Sequence, residues 1–185
     1  MTDLNGLKLR AVVARLVEKM QDRDGWCGET HIQKTAYFLR DLVGVPLDYE
    51  FIIYKHGPYS FDLHDDLMAM KASRFLKTEA RRPYGPSFRK GDLSEVITDR
   101  FPKTLGQFDR HIDFIAEELS SKGVKELERL GTALFVTNER PDVQDVGERA
   151  RLVIRRKPHI SLNQALVAVR TIDGLCKKAE NRSLR

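Results

Sequence analysis

The run Lys55-His56-Gly57-Pro58-Tyr59 places a histidine beside a lysine and a tyrosine, residue types that can perform acid–base chemistry. Such chemistry also needs a nucleophile, a paired carboxylate or a phosphate-cradling loop close by, and none is visible beside His56. Gly57-Pro58 reads instead as a strand-to-helix turn, with His56 free to hydrogen-bond a neighbouring loop. Cys27, Glu29, His31, His56 and His64 could be assembled into a metal site on paper, but their spacing matches no standard zinc pattern. Gly57, Gly85 and Gly91 form no nucleotide-binding fingerprint, and no Gly-rich loop ends in Lys-Ser or Lys-Thr. The expectation is a chain with no catalytic residue, no metal and no cofactor.

Charge offers a second kind of chemistry. Lys71, Arg74, Lys77, Arg81, Arg82, Arg89 and Lys90 are opposed within their own interval by Glu79 alone. Cations on a hairpin can meet phosphates or an acidic protein surface, and Tyr84 and Phe88 could add stacking. The plainer account is a solvated hairpin whose charges protect a strand edge. A second basic group, Arg149, Arg151, Arg155, Arg156 and Lys157, reads as the complement of a helix C-terminus, and the stretch from Asp109 to Glu148 between the two groups is largely acidic. The net charge of +5 permits nucleic-acid binding without requiring it. Asp62, Asp65 and Asp66 would oppose the phosphates if the helix carrying them entered a major groove, so that docking mode is disfavoured.

These residues must be positioned by a modest fold. At 185 residues the chain can bury one sizeable core. Leu9, Val12, Val13, Leu16, Val17 and Met20 predict a helix over about Leu7 to Gln21, ended by Asp22-Arg23-Asp24-Gly25. Thr30 with Gln33 predicts a capped second helix running to Gly44. Tyr49 to Tyr54 reads as a strand stopped at Gly57-Pro58, and Ser60 as the cap of a third helix burying Leu63, Leu67 and Met70. Two extended segments flanking Pro83-Tyr84-Gly85-Pro86 read as a wing-like hairpin. From Thr104, paired with Gln107 as a cap, the pattern is helical: one helix to about Leu119, then Val124 to Thr137, Val143 to Arg156 stopped by Pro158, and a last helix capped by Ser161 and Gln164. Two cysteines, no signal-peptide pattern and no long apolar run lead us to expect a cytoplasmic protein with no membrane insertion.

The stretch from Ile32 to Met70 resembles the Panacea (SocA-like antitoxin) domain family and its YwgA-type relatives. The likeness lies in Ile32-Gln33-Lys34-Thr35-Ala36-Tyr37-Phe38 and in His56-Gly57-Pro58, with Glu126-Leu127-Glu128-Arg129-Leu130 and Lys157-Pro158 less specific. The resemblance implies a non-enzymatic protein acting through binding, its partner a toxin or a protease component.

The expected fold is α+β, mostly α: a winged-helix-like N-terminal domain (1–102) with a basic β-hairpin wing, followed by a C-terminal helical extension or small bundle (103–185). The expected function is a regulatory, antitoxin-like protein-binding module engaging an acidic partner; the alternative is a winged-helix DNA-binding regulator whose hairpin meets phosphates. Lys55, His56, Tyr59, Arg74, Lys77, Arg81, Arg82, Tyr84, Arg89 and Lys90 are the candidate contacts with partner or phosphate. Oligomeric state stays open.

Overall fold

The computed structural model describes residues 4–81 and 85–185. Among them the fold is mostly helical, with two small antiparallel hairpins, an α+β arrangement. Chain order is α1 (Leu4–Gln21), α2 (Glu29–Asp41), β1 (Ile52–Tyr54), β2 (Gly57–Tyr59), α3 (Phe61–Ala72), β3 (Leu76–Glu79), β4 (Ser87–Lys90) and α4 (Ser94–Asp99). It continues with α5 (Pro102–Leu119), α6 (Val124–Glu139), α7 (Val146–Arg156) and α8 (Leu162–Asn181).

The apolar stripe of α1 is buried as its period requires, from Val12 and Val13 to Met20, and it packs on α5, α4 and β4. Each such side chain contributes about 1.5–3 kcal/mol by leaving water. α2 differs, because every residue from His31 to Leu39 is buried. It runs through the interior, against α5, α6 and β2. A helix buried all round must find partners for its polar groups, and His31, Gln33, Lys34 and Thr35 lie on this one. α6 and α7 pack on α8, and one apolar cluster runs from α1 and α2 through α5 and α6 to α8. Among the described residues no helix is long and apolar enough to cross a membrane.

Several terminations follow the sequence. Gly25 N donates to Met20 O at 2.8 Å at the end of α1. Ser60 caps α3 by accepting from Leu63 N at 3.3 Å, and Ser161 with Gln164 forms a complete capping box on α8. The β3–β4 hairpin pairs Leu76 with Lys90 through Glu79 with Ser87, while Arg82 and Tyr84 lie outside the described residues.

Other expectations are corrected. Thr30 does not cap α2; Gly28 does, with no side-chain bond, because Gln33 is drawn to Ser60 instead. Thr104 and Gln107 do not open α5, which starts earlier on Phe101 with Pro102 at its first position. The strand expected from Tyr49 covers only Ile52–Tyr54, and Gly57-Pro58-Tyr59 is its return strand rather than a turn into a helix. α4 had no counterpart in the periodicity. Arg149 does not complement a helix C-terminus: it is buried in the first half of α7 and holds Asp173 of α8 through two bonds of 2.7 and 2.8 Å. Phe88 is buried and offers no stacking surface.

Candidate functional site

The β1–β2 hairpin gathers the strongest local constraints. Tyr54 pairs with Gly57, so Lys55-His56 forms a two-residue loop. Gly57 sits at φ 85°, a region that strongly favours glycine, and a Cβ there would lie 3.2 Å from the Glu128 carbonyl oxygen of α6. At the next residue of β2, Pro58 rests on Gly131, where a Cβ would come within 2.8 Å of the proline Cδ. The hairpin thus packs closely on α6 at two glycines, where an added side chain would crowd the contact.

Buried polar groups close the clamp. Gln33 of α2 both accepts from Ser60 N at 2.9 Å and donates to Ser60 O at 2.8 Å. Lys34 Nζ donates to Pro58 O at 2.7 Å. From the far half of the chain, Lys157 Nζ donates to Tyr54 O and to Lys55 O, the latter at 2.6 Å. Glu128 Oε1 lies 3.5 Å from Lys157 Nζ and 3.3 Å from His159 Nε2, within ion-pair range but without hydrogen-bond geometry. Burial pushes the Lys34 ammonium down to about 8; Glu128 pulls the other way and Lys157 adds to the fall.

On the outer side of this clamped hairpin the aromatic rings stand together. Tyr54 lies 5.7 Å from Tyr59 and 5.8 Å from Phe61, and Tyr59 lies 5.1 Å from Phe61, between ring centroids. Phe61 is 55% exposed, Tyr54 43% and Ile52 42%. Tyr59 Oη donates to Glu29 at 3.3 Å, and His64 Nδ1 lies 2.7 Å from the same carboxylate oxygen. Partial burial and the Glu29 charge raise the Tyr59 phenol above its ordinary value. The result is an apolar edge with fixed ring positions, bordered by the Lys55 ammonium 5.9 Å from the Tyr54 ring. Sequence reading found Tyr59 and Lys55 here but passed over Tyr54 and Phe61, whose exposure no local pattern announces. His56 is exposed at the loop tip and makes no hydrogen bond among the described residues.

The cationic hairpin is less bare than its composition implies. Arg89 pairs with Glu79 at 3.1 Å, and Lys90 with both Glu18 and Glu95 at 3.1 Å, contacts that raise its ammonium above the ordinary value. Arg81 lies over the Trp26 ring at 4.6 Å. Arg74 and Lys77 remain exposed, and form no ion pair among the described residues. This hairpin packs on α1 and α3 whereas β1–β2 packs on α2 and α6, so the candidate contacts fall into two groups on different supports. On α3, Asp62 and Asp65 face solvent, but Asp66 does not: it accepts from Arg10 at 2.7 Å and from Tyr49 Oη at 2.9 Å.

Reactive groups are few. Burial pushes the Cys27 thiol up to about 11, and Cys176 is likewise raised by burial. Among the described residues no three His, Cys, Asp or Glu side chains are placed to hold a metal ion. No protein-family model matches this chain, and a search of curated proteins gives no match. The Panacea-type resemblance therefore rests on the residues quoted for it.

Proposed function

We propose that this chain is a regulatory, non-enzymatic protein-binding module that works in antitoxin-like fashion, docking a protein partner on the aromatic edge of Tyr54, Tyr59 and Phe61. The observation that carries this reading is the exposure of Tyr54 and Phe61, packed with the half-buried Tyr59 on and beside a hairpin held from beneath by Lys34, Gln33 and Lys157. Exposed aromatic clusters of fixed geometry suit interface anchors, because little entropy is lost when they are covered. Lys55 beside the edge, and Arg74 and Lys77 further off, favour a partner with acidic flanks.

A winged-helix-like arrangement of the first half supports the same reading. α1, α2 and α3 are followed by the β3–β4 hairpin, and a bridge between Gly28 and Ser87 ties the α1–α2 connection to that hairpin. Winged helices serve protein and DNA recognition alike. Two solvent-facing carboxylates on α3 and the paired state of Arg89 and Lys90 favour the protein.

The test is affinity purification of the tagged chain from its native cells after nuclease treatment, beside a Tyr54→Ser/Phe61→Ser variant. A stoichiometric protein should survive nuclease and be lost from the variant, since two interface anchors together are worth roughly 4 kcal/mol. Discrete DNA fragments without a protein partner, or a partner that binds the variant equally well, would overturn the reading.

A further inference from the structure

The β1–β2 loop, the first half of α6 and the connection from α7 into α8 border an open cleft of about 720 Å³. That volume falls within the roughly 300–1,000 Å³ usual for drug-sized ligands, so more than a single ion fits. Lys55 and His56 line it from the loop, Lys125, Glu128 and Arg129 from α6, and His159 from the α7–α8 connection.

Charge in the cleft is unbalanced. The side chains of Lys55, Lys125 and Arg129 form no ion pair and no hydrogen bond among the described residues. Among those residues Glu128 is the one carboxylate lining the cleft. It is 6% exposed, and the buried Lys157 ammonium 3.5 Å away offsets its charge. The neighbouring Glu126 is engaged by Lys122 at 2.7 Å. Three cations from two separate segments therefore border a concave surface that offers them no free anion, and an anionic ligand relieves their mutual repulsion.

Spacing says what kind of anion fits. Lys125 and Arg129 stand four residues apart on α6, where such side chains have Cβ atoms roughly 5–6 Å apart. In an extended chain alternate residues share a face and lie about 6.4–6.8 Å apart. Carboxylates at every second residue of an extended segment thus match the two α6 cations. Lys55 continues the path, and its ammonium also lies 5.9 Å from the Tyr54 ring, so the cleft and the aromatic edge share a border. Asp62 and Asp65, exposed on α3 beside Phe61, disfavour a nucleic-acid strand following the same path.

We propose that this cleft holds an extended acidic peptide segment, with Asp or Glu at alternate positions paired to Lys125, Arg129 and Lys55. The inference deepens the reading above and rests on it in one respect, that the segment belongs to the protein docked on the aromatic edge. The rings supply that partner with buried area, and the cleft fixes its register and its acidic preference.

The probe is a fluorescein-labelled octapeptide of alternating Glu and Ser, followed by fluorescence polarisation at low salt with the purified full chain to about 0.5 mM, a range that registers sub-millimolar binding. It should bind saturably, and about threefold or more tighter than an octapeptide of the same composition whose Glu residues are paired at its two ends. An analogue with Gln in place of Glu should not bind. Lys125→Glu and Arg129→Glu should each weaken binding about tenfold, while Lys177→Glu, the same charge change on an exposed part of α8, should not. Lys125 is exposed, so its variant carries the test if the half-buried Arg129 replacement unfolds the chain. These measurements need no native partner, so their failure is distinct from failure of the Tyr54→Ser/Phe61→Ser comparison, which tests the edge. No saturable binding, the end-paired peptide binding as tightly, an oligonucleotide of the same charge binding more tightly, or α6 variants that bind like wild type would overturn the proposal.

Discussion

Lys34 holds an ammonium at 1% exposure with one hydrogen-bond acceptor, the carbonyl of Pro58. Burial moves its pKa from an ordinary 10.5 to about 8, with Glu128 opposing the shift. The folded chain therefore releases this proton near pH 8, and the unfolded chain releases it near 10.5. Between those values the unfolded state binds more protons, so Lys34's contribution to stability rises with pH there. Below pH 8 both states are charged, and the folded state carries the full cost of the buried cation. Tyr37 and Tyr49 act in the opposite sense: burial pushes both phenols up, so stability falls as the unfolded tyrosines ionise near pH 10. Comparison with Lys34→Met at pH 7.5 and 9.5 removes the tyrosine part. Wild type should gain about 2 kcal/mol on the variant between the two pH values in urea unfolding, given the size of the shift. A difference that stays flat would mean that the ammonium is solvated, and that the hairpin is not held from within.

Elements whose cause is local were legible in the sequence. The stripes of α1 and α8 follow from apolar spacing, the starts of α3 and α8 from Ser60 and Ser161, and the pairing of β3 with β4 from two extended segments close in sequence. β2 was not legible, because a three-residue strand centred on proline runs against strand propensity and is fixed by contacts from α2 and α6. For the same reason Thr30 and Gln33 misled: the glutamine fits a local cap, but a partner 27 residues away takes it. Of the candidate site, Lys55 and Tyr59 could be read from the motif, whereas the ring cluster and the clamp beneath it depend on chain segments far apart. Gly131 shows this most directly, since nothing near it in sequence marks it as the seat of Pro58. In most helix interiors Gly→Ala stabilises by about 0.8–1 kcal/mol, and Gly106→Ala in α5, with open space around it, should do so. Gly131→Ala should instead destabilise by about 1–2 kcal/mol, because the new methyl group meets the proline ring and overpacking outweighs the helix gain. Urea midpoints of the two variants moving in opposite directions would establish the contact; a stabilised Gly131→Ala would refute it.

At the scale of the whole molecule, the packing crosses the boundary between 1–102 and 103–185 expected from the sequence. α1 lies on α5, and α2 is covered by α5 and α6. The β1–β2 hairpin, although it belongs to the first half, takes two of its hydrogen bonds from Lys157 and rests on the backbone of Glu128 and Gly131. A fragment of residues 1–102 would expose the covered faces of α1 and α2 to water and would leave Lys34 without the Glu128 charge that favours its ammonium. Burial of α2 from His31 to Leu39 has no counterpart in such a fragment, and the polar groups on that helix would lose the enclosure that fixes their bonds. The full chain should therefore unfold in one cooperative transition, with tyrosine and tryptophan signals coincident. The 1–102 fragment should show no cooperative transition, and should bind a hydrophobic dye as states with exposed apolar surface do. A fragment that unfolds cooperatively and leaves the dye unbound would show that the first half carries a sufficient core of its own. The second half would then cover the first without being needed to fold it, and the aromatic edge would be set within the first half, by α2, α3 and the β1–β2 hairpin.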